Sequence, residues 1–123
     1  MTGLRIAAIM AVHNRRDLTL ACLDSLRAQH LPDGTLDVFV LDDASTDGTA
    51  AAVLERYPEV RLLRGDGQQY WNGGMRRAFG EAMASDYDYY LWMNDDTELD
   101  DGVLARLLTT ERELRERGNA PVI

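Results

Sequence analysis

Two acidic groups stand directly after apolar runs: Asp42 and Asp43 follow residues 36–41, and Asn94, Asp95 and Asp96 follow residues 87–93. Two like unit charges 4 Å apart repel by ~1 kcal/mol in water, and by more where the dielectric falls. A fold that gathers four carboxylates on one rim therefore gains no stability from doing so, and a divalent cation removes the objection. Carboxylate oxygens are hard ligands suited to Mg2+ or Mn2+. No Cys or His accompanies Asp95 and Asp96, so a zinc site is not expected. A third segment, residues 65–77, has glycines that let a ligand approach the backbone. It also carries Arg76 and Arg77, which can reach anionic oxygens. The dinucleotide fingerprint G-x-G-x-x-G is not met there, because Tyr70 stands where its third glycine should be. Tyr70 and Trp71 fit packing under the loop and substrate contact equally well. The isolated Asp47 and Asp101 read as helix caps or turn formers.

The elements that must position these residues follow from hydrophobic patterning. Residues 4–12 form a near-continuous apolar run that suits a strand buried on both faces. Residues 17–30 follow with Leu18, Cys22 and Leu26 four apart, the stripe of an amphipathic helix, broken at Pro32, Asp33 and Gly34. The reading continues with a strand at 36–41, a helix at 49–56, a strand at 60–64 and a helix at 72–84. A strand at 87–93 and a helix at 100–117 complete it, with Asp100 and Asp101 at the last helix's positive end and Gly118 as its C-cap. Residues 120–123 read as the opening of a fifth strand. The order β-α-β-α-β-α-β-α predicts an α/β fold: a Rossmann-like sheet of mainly parallel strands, helices on both faces and right-handed crossovers. In such a sheet the strand ends share one edge, where ligands of open α/β sheets bind. Both acidic groups are thereby expected on one rim.

A chain of 123 residues is read as one domain, 1–123. Its net charge of −8 repels phosphate backbones, so nucleic acid is not an expected partner. All 13 basic residues are arginine, which excludes a P-loop and Schiff-base chemistry. The one cysteine, Cys22, falls on an apolar helix position and reads as a small core residue. The N-terminal residues are too short and too lightly charged for a signal peptide, and no run approaches the length of a membrane span, so the expected compartment is the cytoplasm.

The chain resembles family 2 glycosyltransferases of the GT-A fold along nearly its whole length. The resemblance rests on the strand end Val12-His13-Asn14-Arg15 and the run Val40-Leu41-Asp42-Asp43-Ala44-Ser45-Thr46-Asp47-Gly48-Thr49. The loop Trp71-Asn72-Gly73-Gly74-Met75-Arg76 and the step Met93-Asn94-Asp95-Asp96-Thr97 complete it. The last looks like a variant of the family's D-x-D metal motif. The resemblance implies a nucleoside diphosphate sugar as partner, Mg2+ or Mn2+ as cofactor, and sugar transfer with inversion to an acceptor saccharide or other hydroxyl compound. It places His13 and Asn14 near the base, with His13 stacking on it, and Asp42 hydrogen-bonded to the base. Arg76 would approach the base or diphosphate, Asp95 the ribose or sugar, and Asp96 the metal. Asn94 is not expected to bind metal, and Asp43 receives no role. The resemblance covers the nucleotide-sugar-binding half and implies that the acceptor-binding half and the general base lie past the metal motif, beyond these residues. Glu98 and Glu111 are read as solvated surface groups. The loop at Trp71 is similar to that of members using deoxysugar donors such as dTDP-rhamnose.

Two further expectations follow. An apolar strand edge left open would recruit a second copy, giving a homo-oligomer, and a longer form of the protein could be peripheral to a membrane. The alternative function is a non-catalytic nucleotide-sugar-binding or protein-interaction fragment. A response-regulator receiver domain is disfavoured: it needs a lysine and an acidic pair after its first strand, where His13 and Asn14 stand.

Overall fold

The computed structural model describes residues 3–119. Its strands are β1 (Leu4–Val12), β2 (Gly34–Asp42), β3 (Arg61–Arg64) and β4 (Tyr89–Trp92). Its helices are α1 (Arg16–Arg27), α2 (Thr49–Arg56), α3 (Tyr70–Met83) and α4 (Val103–Glu116). The four strands form one sheet in the order β3-β2-β1-β4, and every pairing is parallel. The fifth strand expected at residues 120–123 lies outside the described residues.

The unbroken apolar run of β1 resolves into two faces by the pleat. Ala8, Met10 and Val12 point into a core shared with Cys22, Leu23 and Leu26 of α1 and Val53 of α2. Ala7 and Ile9 point the other way, onto Met75, Ala78 and Ala82 of α3. β2 divides in the same manner, Val40 toward α1 and α2, Phe39 and Leu41 toward α3. Ile9, Met10, Phe39 and Val40 are fully buried, each such side chain contributing ~1.5–3 kcal/mol of hydrophobic stabilisation. α3 lies close on the sheet because Gly74 faces it: a Cβ there would stand 2.7 Å from the Ala11 Cβ.

Most expected elements are present with shifted bounds. α3 begins at Tyr70 rather than residue 72, which brings Tyr70 and Trp71 into its first turn. β4 is shorter than expected, its ladder with β1 running from Ile6↔Tyr89 to Ile9↔Trp92. α4 begins at Val103, so Asp100 and Asp101 lie in the preceding turn rather than in its first turn. Its start is held by Gln29 at the end of α1, which accepts from Leu104 N (3.0 Å) and donates to Asp100 O (2.9 Å). Its end carries the paired bonds Gly118 N to Arg115 O and Asn119 N to Leu114 O, the pattern that makes Gly118 a C-cap.

Candidate active site at the carboxyl ends of the strands

Three loops leave the carboxyl ends of β1, β2 and β4 on the same edge. The turn after β1 and the turn after β2 are laced together. Asn14 N donates to Ser45 Oγ (2.9 Å), and Asn14 Oδ1 accepts from Thr46 N (2.7 Å). Asp47 joins them from below: its Oδ2 accepts Arg16 N, at the start of α1, while its Oδ1 accepts Thr49 N, at the start of α2. One carboxylate thus serves the first turns of two helices, and these bonds hold its carboxyl below the usual carboxylate range, the Thr49 hydroxyl foremost. Asp47 is the turn former expected of it.

Asp42 and Asp43 face opposite ways because successive strand residues do. Asp42 turns with Val40 to the α1–α2 side, is fully buried, and accepts Ser45 N at 3.1 Å. Its other oxygen, Oδ2, has no hydrogen-bond donor among the described residues and lies 4.0 Å from Arg64 Nη1. Asp43 turns toward α3. Its Oδ1 accepts Gly67 N (2.8 Å), and its Oδ2 accepts Gln69 N and Tyr70 N (3.0 Å each). This carboxylate therefore builds the loop at residues 65–70 and satisfies amides that the start of α3 would otherwise leave unpaired. Gly65 leaves room for it: a Cβ there would lie 2.4 Å from Asp43 Oδ1.

His13 bridges the two sides. Its Nδ1 lies 2.7 Å from the Asp43 carbonyl oxygen. A carbonyl only accepts, so Nδ1 carries the proton. In the neutral ring Nε2 is then an acceptor, and Asn14 Nδ2 donates to it at 3.3 Å. On the far side Trp71 Nε1 donates to Asn94 Oδ1 (3.2 Å), and its ring packs edge-to-face on Trp92. Asp95 is buried, whereas the Asp96 side chain is 51% exposed. Burial is the main cause that pushes the Asp95 carboxyl up; Arg15 partly offsets it and Asp96 adds to it. Arg15 Nη1 stands 3.4 Å from Asp95 Oδ1 and 3.5 Å from Asp96 Oδ2.

Between these groups lies a cleft of about 530 Å³, within the ~300–1,000 Å³ of small-molecule sites. His13, Arg15, Asp43, Trp71, Asp95 and Asp96 all line it. Of the residues expected at the site, His13, Asp95 and Asp96 are brought together there. Asp42 is not among the lining residues; the acid that reaches the cleft from β2 is Asp43. Asn14 does not line it either, its side chain being committed to Thr46 and His13. Arg76 is exposed on α3, away from the lining. Sequence patterning names Asp43 among the strand-end acids and quotes Arg15 in the β1-end motif, but gives neither a role. Strand parity after Leu41 is the signal that would have separated Asp43 from Asp42. Glu111 is not solvated: Tyr89 donates its hydroxyl to it at 2.5 Å and Arg115 pairs with it, leaving its side chain 12% exposed. Cys22 is the expected inert core thiol, pushed up to about 12 chiefly by burial.

Among the described residues, three other than glycine have left-handed backbones: Asn14 (φ 51°), Ala44 (φ 58°) and Tyr70 (φ 55°). Asn14 and Ala44 sit in the turns after β1 and β2, and Tyr70 opens α3 at the cleft. Such conformations cost ~1–3 kcal/mol each and persist where surrounding structure enforces them, often at functional sites.

The fold has counterparts among known proteins. The profile of glycosyl transferase family 2 matches residues 7–120. The chain belongs to glycosyltransferase family 2. A mannosyltransferase from Pyrobaculum calidifontis, PcManGT, solved with GDP-Man and Mn2+, is similar in structure with a TM-score of 0.70 at 24% identity. The match covers 90% of this chain and 33% of that one. S. aureus TarS in complex with UDP gives a TM-score of 0.71 at 20% identity, over 91% of this chain and 33% of that one. The family 2 chain thus spans about a third of each of these proteins, and its four-stranded parallel sheet with flanking helices is that of GT-A glycosyltransferases. No curated protein sequence matches it significantly.

The residues fit a divalent metal of the kind shared with a substrate. Among the described residues no three His, Cys, Asp or Glu side chains group around one point. Asp95 and Asp96 are two hard carboxylates, both within reach of one cationic nitrogen. Mg2+ and similar ions commonly take one or two carboxylates, with phosphate oxygens and water filling the remaining positions.

Proposed function

We propose that this domain binds a nucleoside diphosphate sugar in the strand-end cleft, through Mg2+ or Mn2+, as the donor site of an inverting glycosyltransferase. The observation that carries the reading is the convergence of Asp43, His13, Asp95 and Asp96 on one cleft from the ends of three adjacent strands. His13, its ring fixed through Nδ1, presents a flat face suited to the base. Asp43 holds the loop that forms the opposite wall. Asp95, buried, would hold the ribose or sugar, and Asp96, half exposed, would carry the metal. A bound Mg2+ or Mn2+ would act as Lewis acid on the leaving diphosphate. The acceptor, a saccharide or other hydroxyl compound, must lose a proton to a general base. Glu111 cannot serve, because it is held by Tyr89 and Arg115 away from the cleft.

Thermal unfolding with UDP, GDP and dTDP tests the reading. A nucleotide at ~100 times its Kd stabilises by ~2.7 kcal/mol, so at least one should raise Tm in Mn2+, and EDTA should abolish the rise. If no nucleotide moves Tm with metal present, the reading fails.

A further inference from the structure

The cation that faces the acidic pair in this structure is Arg15. It stands at the entry to α1, half exposed, and a single nitrogen serves both Asp95 and Asp96. At 3.4 and 3.5 Å the contacts are longer than the ~2.7–2.9 Å of strong charge-assisted hydrogen bonds. The guanidinium is therefore shared between the carboxylates rather than committed to either. It also lines the cleft, so its reach includes the space in which a ligand would lie.

We propose that Arg15 is a displaceable counter-ion: it screens Asp95 and Asp96 until a divalent ion takes Asp96, then turns to the diphosphate. The proposal rests on the donor-site reading above. Its physical basis is competition. A divalent ion held by Asp96 would stand next to the guanidinium, which lies 3.5 Å from that carboxylate, and like charges at that range repel strongly where the dielectric is low. Swinging off costs little, because the two contacts are long and the side chain is already half in solvent. The diphosphate gives the guanidinium a better partner, since its planar fork matches phosphate oxygens. Arg15 thus opposes the metal when nucleotide is absent and favours the metal–nucleotide pair when it is present. The two ligands are coupled, each raising the affinity for the other.

Titration of Mn2+ alone, followed by the paramagnetic resonance signal of the free ion, reads the first half. Arg15→Gln should bind Mn2+ roughly tenfold more tightly than the unaltered chain, and Arg15→Lys, which keeps the charge, should stay within about twofold of it. At saturating Mn2+, whichever of UDP, GDP and dTDP binds best should bind Arg15→Gln roughly tenfold more weakly. Mn2+ binding by Arg15→Gln that is unchanged or weaker overturns the proposal, as does unchanged nucleotide affinity. If circular dichroism shows that Arg15→Gln does not fold, Arg15→Met, neutral and of similar length, takes its place with the same expectations. Asp96→Ala is the control for the underlying reading: if it binds Mn2+ as well as the unaltered chain, the metal site itself is misplaced. A lost Mn2+ site in Asp96→Ala beside an inert Arg15→Gln means that only the counter-ion idea fails.

Discussion

Asp43 accepts amides from three residues of one loop while almost fully buried, at 4% exposure. Truncating it leaves those donors without their acceptor, and hydrogen bonds to charged groups are worth ~1.5–3 kcal/mol each. Asp43→Ala is expected to destabilise the chain by ~2–4 kcal/mol in urea unfolding and to abolish nucleotide binding by releasing the loop. A loss under ~1 kcal/mol would show that the loop holds itself. At this scale the sequence was legible in kind but not in direction. The acids at the ends of β2 and β4 were visible as a metal-suited set, yet nothing in residue type distinguishes Asp42 from Asp43. Only the pleat does, and its phase depends on which face Val40 and Leu41 take against α1 and α3. Arg15 was hidden for a related reason. Its partners Asp95 and Asp96 are 80 residues or more away in the chain, a juxtaposition made by the β1–β4 pairing.

Elements were legible where their own pattern defines them. β1 and α2 begin and end where the apolar run and the flanking turn residues place them. α3 starts two residues before its own pattern does because its start is set by Asp43, a tertiary partner, rather than by a local capping residue. The contact between α3 and the sheet at Gly74 is tight enough that Gly74→Ala should cost ~1–3 kcal/mol through overpacking, measured as a lower urea midpoint at constant slope. An unchanged midpoint would mean that the helix can ride outward freely. Asp47 links the starts of α1 and α2, and its pH dependence has a definite sign. Its folded-state pKa lies below its ordinary value, so its stabilising effect is present above pH ~4 and is lost as pH falls through the folded value. Asp47→Ala should therefore lower Tm at pH 7, and the difference from the unaltered chain should shrink under acid. A difference independent of pH would assign the effect to shape rather than charge.

At the scale of the molecule, parallel strands turn three separate loops into one site, and the β-α alternation was sufficient to foresee that edge. Strand order was not foreseeable from pattern alone: β1 sits between β2 and β4, leaving β3 and β4 at the two sides of the described sheet. β4 carries Trp92, 47% exposed, and α3 beside it carries Trp71 and Met83, both more than half exposed. Among the described residues β4 pairs with β1 alone, and aromatic and apolar groups beside such an edge invite pairing, so we propose self-association through β4. Light scattering should show mass rising with concentration, and Trp92→Lys should suppress the rise. A monomer at every concentration would refute it. Among the described residues no helix is long and apolar enough to cross a membrane. Whether the ends of β1, β2 and β4 make one metal-dependent nucleotide site is decided by calorimetric titration of UDP, GDP and dTDP, with and without Mn2+. At least one nucleotide should bind only with Mn2+ and should lose that binding in Asp96→Ala. Binding indifferent to both the metal and Asp96, or no binding by any of the three, would contradict it.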